Sequence, residues 1–171
     1  TGNAGTVTGT SPLCAGATTT YSSNGDPGGE WSSSDPLVAT VNSSTGLVTA
    51  VGAGTCNIIY SITGGCSGIP SAQQSITVIA ASAVTSVTGG TSPLCIGQTT
   101  TCTANGVVLS GGTGAWSSSN NAVATVDNAG LVTAQGAGTC NIIYTVTGGC
   151  NGPVSAFQAI TVNPNSAISS V

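Results

Sequence analysis

Two stretches of this 171-residue chain are letter-for-letter identical: "GAGTCNIIY" fills Gly52–Tyr60 and returns at Gly136–Tyr144. The repetition extends well beyond them. "TGTSPLCAGATTTY" (Thr8–Tyr21) matches "GGTSPLCIGQTTTC" (Gly89–Cys102), and "EWSSSDPLVATVNSSTGLVTA" (Glu30–Ala50) matches "AWSSSNNAVATVDNAGLVTA" (Ala115–Ala134). Self-similarity on this scale means that one folding unit has been copied, so whatever fold is chosen must be built twice. Cys14 and Cys95 are 81 residues apart, whereas Trp31 and Trp116 are 85 apart. A short insertion near "VVLSGGTG" (107–114) therefore distinguishes the second copy. The reading places module 1 at 1–83 and module 2 at 84–171. The tails also agree, "SAVTSV" (82–87) with "SAISSV" (166–171), and placing Thr1 after Val171 would give a junction of the same kind. The expectation is one two-module unit of a longer array, or a link in a head-to-tail assembly; trimming at a natural linker is the alternative.

Each copy is made of short strand patterns separated by turn residues, the pattern of an all-β sandwich. "ATTTYS" and "QTTTCT" read as strand B, "EWSSS" and "AWSSS" as strand C. "LVATV" and "AVATV" form hairpins with "GLVTAV" and "GLVTAQ"; "GTCNIIY" leads strand F, and "SITV" or "AITV" is strand G. No segment has helical periodicity.

The chain contains no Lys, Arg or His; Asp26, Glu30, Asp35 and Asp127 give a net charge of −4. Hydrophobic residues make up 39%, too many for a disordered chain with so little charge. Without cations there is nothing to neutralise phosphates, which removes nucleic-acid binding and docking on anionic membranes. No apolar run is long enough for direct membrane insertion as a helix. No basic leader opens the chain, so it reads as mature or as internal to a longer protein. Near-neutral copies repel one another little, which favours association. Seven cysteines without a CxxC pair or a His point away from zinc and towards disulfides in an oxidising, extracellular compartment.

The pattern W-S-S-S-x-x-x-V-A-T-V-x-x-x-G-L-V-T-A-x-G-A-G-T-x-x-I resembles the bacterial immunoglobulin-like domain of group 2 (Big_2), and does so in both copies. The resemblance implies two tandem immunoglobulin-like β-sandwich domains of the kind strung along surface adhesins, secreted enzymes and fibres. The Ser/Thr-rich tone and cysteine placement are similar, more loosely, to modules of large secreted Bacteroidota-type surface proteins. One departure stands out: the strand F position of Cys56 and Cys140 is usually a small apolar residue in that family.

Strand alternation sets Cys56, Ile58 and Tyr60 on one face, and Cys140, Ile142 and Tyr144 likewise; these should face the core. Strand B offers Tyr21 in module 1 and Cys102 in module 2 at the opposing place. Strands B and F face each other across such a sandwich, so Cys102–Cys140 is the expected bridge, and Cys56 a buried free thiol. Cys14 and Cys95 precede strand B, while Cys66 and Cys150 follow strand F, near opposite ends of one module. Two readings stay open. Either Cys14 joins Cys150 between modules and Cys95 reaches the Cys66 of a following unit, or each module closes its own pair, Cys14–Cys66 and Cys95–Cys150.

Catalysis lacks a base for any nucleophile. Asp26 and Glu30 lie close in sequence but have no counterparts in module 2, so they read as turn and surface residues; "NGDPGGE" (24–30) offers calcium too few carboxylates. No cofactor or metal is expected. Trp31 and Trp116 open strand C, where sandwiches bury an aromatic; exposed, either could serve a sugar-binding module. Asn42 begins an N-x-S sequon inside a hairpin turn, a possible glycosylation site. The reading that results is a non-enzymatic structural unit of an extracellular fibre or filament. Its partners would be copies of itself or neighbouring modules, engaged through "TGNAGTVTGT" (1–10) and "NPNSAISSV" (163–171). The alternative is a passive spacer in a large adhesin or secreted enzyme.

Overall fold

The structure, a computed structural model, describes residues 2–63 and 68–165. The chain divides into two compact units, Thr1–Ala81 and Ser82–Val171. The division falls two residues before the expected boundary, because Ser82 and Ala83 are bound into the second unit. The Ser82 amide donates to the Cys150 carbonyl (3.0 Å), and Ala83 exchanges backbone hydrogen bonds with Val108 (3.0 and 2.8 Å). Val108 lies in the insertion, so the insertion is what captures the entering chain.

Unit 1 contains β1 (Val7–Thr8), β2 (Leu13–Cys14), β3 (Thr18–Thr20), β4 (Ser22–Ser23), β5 (Glu30–Ser33), β6 (Ala39–Val41), β7 (Leu47–Ala50), β8 (Gly54–Ser61) and β9 (Ser71–Ile79). One sheet runs β2-β9-β8-β5; the facing one runs β3-β7-β6, with β1 paired to β4 beside it. Unit 2 contains β10 (Ser86–Gly89), β11 (Leu94–Cys95), β12 (Thr99–Asn105), β13 (Thr113–Ser118), β14 (Ala124–Val126), β15 (Leu131–Ala134), β16 (Gly138–Thr147) and β17 (Val154–Asn163). Its sheets run β10-β12-β15-β14 and β11-β17-β16-β13. All pairings are antiparallel except β2 with β9 and β11 with β17, which run parallel. Among the described residues no helix is long and apolar enough to cross a membrane.

Alternation along strand F builds each core. On β8, Cys56, Ile58 and Tyr60 are buried and their neighbours are not; on β16, Cys140, Ile142 and Val146 are buried. Ile58 and Ile76 are fully covered in unit 1, as are Ile142 and Ile160 in unit 2. Burial of each such side chain contributes about 1.5–3 kcal/mol. Trp31 pairs with Tyr60 across β5 and β8 at 4.8 Å between centroids, and Trp116 pairs with Tyr144 at 5.0 Å. Turn glycines make room beneath the indoles. A Cβ on Gly46 would lie 3.0 Å from Trp31, and one on Gly130 3.2 Å from Trp116; both glycines have positive φ. The glycine that opens "GLVTA" in each repeat thus has a packing role beneath the Trp, although the turn before it is one residue shorter in the second copy.

The core expectation needs adjusting in unit 2, where Trp116 and Tyr144 are half-buried against the core. In unit 1 the turn before β5 closes over Tyr60: the Gly29 amide donates to Tyr60 Oη, which donates to the Asp26 carbonyl (both 2.9 Å). In unit 2 the equivalent stretch carries the insertion and runs on as the longer β13, leaving its ring pair more open.

The opening segment also departs from expectation. Val7–Thr8 pairs with Ser22–Ser23, Ala4 and Val7 are buried, and the Asn3 amide donates to Asp26 Oδ2 (2.8 Å). Asn3, Ala4, Val7 and Thr8 are thus held within their own module by burial, a hydrogen bond and strand pairing. At the other end, residues 166–171 lie outside the described residues.

Two positions test this packing. A Cβ on Gly9 would lie 2.4 Å from the buried Tyr21 ring. Gly9→Ala should therefore destabilise unit 1 by about 1–3 kcal/mol in urea unfolding, as overpacking does. Ser110 sits at φ 48° with a buried Oγ lacking a hydrogen-bond partner among the described residues. Ser110→Gly should raise the melting temperature of unit 2, a gain of about 1 kcal/mol from relieving strain and a stranded hydroxyl.

Candidate functional site

The residues with chemistry to offer are the cysteines. Cys14 ends β2, held beside the last residue of β9, with the Ala15 amide donating to the Ile79 carbonyl (2.9 Å). The turn that follows is closed by Gly16 to Ala50 (2.9 Å) and Ala17 to Cys14 (3.0 Å). Unit 2 repeats the arrangement. Cys95 ends β11 beside Asn163, and its turn is closed by Gly97 to Ala134 (2.9 Å) and Gln98 to Cys95 (3.0 Å). Gly16 and Gly97 adopt φ of 89° and 88°. Cys14 and Cys95 are therefore one position of the fold seen twice. Their states differ: Cys14 is disulfide-bonded and partly buried, and Cys95 is a free, exposed thiol.

Cys150 is also disulfide-bonded, in the turn between β16 and β17. It is buried, and its carbonyl holds Ser82. Cys66 lies outside the described residues.

The expected Cys102–Cys140 bridge is not formed: both are buried free thiols. Cys102 Sγ occupies a slot over Gly90, where an added Cβ would lie 3.2 Å from the sulfur and 3.3 Å from Ile160 Cδ1. Gly9 offers the same slot to the Tyr21 ring in unit 1. Cys102 thus fills the place of an aromatic as a small apolar group, packed beside Ile160. Cys56 is likewise a buried free thiol, with its sulfur 3.7 Å from Ser33 Oγ. Burial raises the Cys102 thiol above its ordinary value of 9.0, and burial, then the nearby Cys56, raise Tyr21 above 10.0.

The other candidates do not converge. Asp35 Oδ1 accepts from the Leu37 amide (3.0 Å), Asp127 Oδ1 from Ala129 and Leu131 (2.8 and 2.9 Å), and Asp26 holds Asn3. Glu30 is exposed at the start of β5. No cluster of three or more His, Cys, Asp or Glu occurs among the described residues. Trp31 is 8% exposed, which denies it a stacking platform. Asn42 is exposed in the turn between β6 and β7, its Oδ1 accepting from Ser44 and Thr45 (3.1 and 3.0 Å).

Sequence reading missed what the serines do. Ser34 Oγ accepts from the Asn57 amide and Ser119 Oγ from Asn141 (both 2.9 Å), stapling the end of strand C to strand F. Ser11 and Ser92 accept from Thr77 and Thr161 (both 3.0 Å) on the last strands. Their recurrence at matching places in both repeats was the available signal.

With this geometry described, comparison with known proteins places the class. Residues 13–61 match the family of bacterial Ig-like domains (group 2), and residues 98–149 match the intimin immunoglobulin-like domain. Each unit thus matches an immunoglobulin-like family model of its own, consistent with two tandem Ig-like domains. No curated protein sequence matches it. Among solved structures it is similar to a C-terminal 282-residue fragment of intimin in complex with the intimin-binding domain of its translocated receptor. Identity there is 18%, over 93% of this chain and 63% of that one, with a TM-score of 0.48. Mouse cadherin-23 EC22–24 gives 14% over 95% and 65%, at 0.42. The S-layer protein rSbsC(31-844) gives 16% over 90% of this chain at 0.33, and the chain spans 24% of that protein.

Alkylation of the native protein should label Cys95 among the described cysteines. Cys56, Cys102 and Cys140 should react after denaturation, and Cys14 and Cys150 only after reduction as well; mass spectrometry of labelled peptides reads this directly. Because Cys102 keeps its proton in the folded state, its contribution is intact below its unfolded value and is lost as pH rises past about 9. The urea midpoint of unit 2 should accordingly fall above pH 9, and Cys102→Ala should flatten that decline.

Proposed function

We propose that the chain is a structural repeat unit of an extracellular surface fibre whose immunoglobulin-like modules are held in line by disulfides between successive domains. The observation that carries this reading is the partition of the cysteines: Cys14 and Cys150 are each disulfide-bonded, whereas Cys56, Cys95, Cys102 and Cys140 are free. In this reading Cys14 and Cys150 are each other's partner. Cys14 lies beside Ile79, and Cys150 holds Ser82. Ile79 and Ser82 are three residues apart along the chain, a span of at most about 11 Å. A disulfide requires about 4.4–6.8 Å between Cα atoms, so this reading demands that the short link hold the two turns close together. The self-closed alternative for unit 2 needs Cys95 as the partner of Cys150, and Cys95 is free.

A bridge at this place would add a second covalent strand to a joint otherwise made of one peptide linker, so the joint would resist bending and pulling. The bacterial immunoglobulin-like family is one of structural and adhesion modules, which agrees with a surface location and with no catalytic role. A spacer within a larger adhesin would use the same joint and differs only in what the chain is attached to.

Disulfide mapping after cleavage by a protease other than trypsin, which has no site in a chain without Lys or Arg, tests the joint. The Cys14 and Cys150 peptides should travel together until reduced. Cys150→Ser should expose a titratable Cys14 thiol and lower stability by roughly 2–4 kcal/mol. A Cys14 peptide joined to Cys66 would overturn the reading.

A further inference from the structure

We infer that the Asp26–Pro27 peptide bond is a self-cleavage site, at which the Asp26 carboxyl attacks its own backbone carbonyl while Tyr60 holds the carbonyl oxygen. The inference is independent of the joint proposed above, since no cysteine takes part. Three groups meet at this bond. Tyr60 Oη, on β8, donates to the Asp26 carbonyl oxygen (2.9 Å), the atom on which negative charge develops during attack. The Gly29 amide donates to the same Oη (2.9 Å), which strengthens the phenol as a donor. The Asn3 amide donates to Asp26 Oδ2 (2.8 Å), and Oδ1 has no hydrogen-bond partner among the described residues. Pro27 supplies the leaving group. Its nitrogen belongs to a tertiary amide without an N–H and accepts a proton more readily than an ordinary peptide nitrogen. Asp26, Pro27 and Gly28 are exposed, so water reaches the bond. Pro27, Glu30 and Tyr60 line one cleft, which makes Glu30 and Tyr60 the titratable neighbours of the site.

A second Asp–Pro bond in the same module provides the comparison. The Asp35 carbonyl accepts from the Val38 and Ala39 amides (both 3.1 Å), and Asp35 Oδ1 accepts from the Leu37 amide (3.0 Å). The Asp35 carboxyl is therefore pinned across its bond, to the chain that would leave. The Asp26 carboxyl is pinned to Asn3, on its own side of the bond, and its carbonyl is held by a donor anchored in the core sheet.

The step needs no base. A carboxyl oxygen of protonated Asp26 bonds to the Asp26 carbonyl carbon and closes a five-membered ring. The C–N bond to Pro27 breaks, and the carboxyl proton passes through water to the Pro27 nitrogen. The products are a cyclic anhydride at Asp26 and a secondary amine at Pro27. Water then opens the anhydride to two carboxyls, so one peptide bond and one water are consumed and one amine and one carboxyl are formed. Attack from within the residue avoids the entropic cost of bringing two partners together. The chain has no lysine to compete with water for the anhydride. After cleavage the first segment stays in place, because β1 pairs with β4, β3 pairs with β7, and Tyr21 is buried. The module is nicked, and the two pieces separate only on unfolding.

The test is to incubate the full chain in mildly acidic buffer, folded and, in parallel, unfolded in urea, with denaturing gels and mass spectrometry as the readout. Near-ultraviolet circular dichroism reports that each sample keeps its state. Fragments 1–26 and 27–171 should form from the folded chain about tenfold faster or more than from the unfolded one, while Asp35–Pro36 gains nothing from folding. Asp26→Glu, which keeps the charge but cannot close the five-membered ring, should abolish the cut. Tyr60→Phe keeps the ring packed; it should slow cleavage of the folded chain about tenfold or more and leave the unfolded rate unchanged. Hydroxylamine added to the reaction should be captured on fragment 1–26 as a hydroxamate. A folded chain that cleaves no faster than the unfolded one would overturn the inference. So would a Tyr60→Phe rate equal to that of the parent, or a fragment 1–26 that never captures hydroxylamine.

Discussion

The absence of every basic side chain is the constraint on which the rest of the structure depends. No side chain can answer a carboxylate with a positive charge, so polar groups must be satisfied by neutral hydrogen bonds or by backbone amides. Three of the four carboxylates accept from turn amides, and serine and asparagine oxygens do the same elsewhere. Cohesion then rests on strand ladders and on apolar alternation, centred on Ile58 and Ile76 in one module and Ile142 and Ile160 in the other. Such a scaffold has little to lose to salt, because screening acts on charges it does not use.

Within that constraint, the modules solve one packing problem in two ways. The slot over the glycine that follows the first strand, Gly9 or Gly90, takes the Tyr21 ring in one and the Cys102 sulfur in the other. Tyr21 also brings a hydroxyl that donates to the Thr10 carbonyl (3.1 Å), a bond Cys102 cannot copy. The smaller residue keeps the core closed because Ile160 lies alongside it. The aromatic pairs show the same tolerance: the Trp–Tyr contact survives in both, while the turn that covers it has diverged.

The cysteines divide by position into two kinds of work. Those on facing core strands act as compact apolar groups, insulated from oxidant by burial. Those in turns at module ends are where oxidation can tie one piece of chain to another. Surface chemistry adds to this, for a nearly uncharged exterior does not oppose close approach of copies.

The duplication, the sandwich class, the strand register of Cys56, Ile58 and Tyr60, and the hairpins that became β6–β7 and β14–β15 were legible in the sequence, because period-2 alternation and turn residues are local properties. What the sequence left open required distances between residues far apart in the chain. Facing strands in a sandwich suggest a Cys102–Cys140 bridge, but only packing shows that the Cys102 sulfur fills the Gly90 slot instead. Repeated serines look like surface polarity until strand C is laid beside strand F and their hydroxyls meet the Asn57 and Asn141 amides. Val7 and Thr8 look available until β1 finds β4. Composition and periodicity thus determined the kind of fold and its number of copies, since these follow from each residue's own preference for core, strand or turn. Which thiols are free and which rings are covered were decided by tertiary structure alone, because each depends on which residues distant in the chain share the same space.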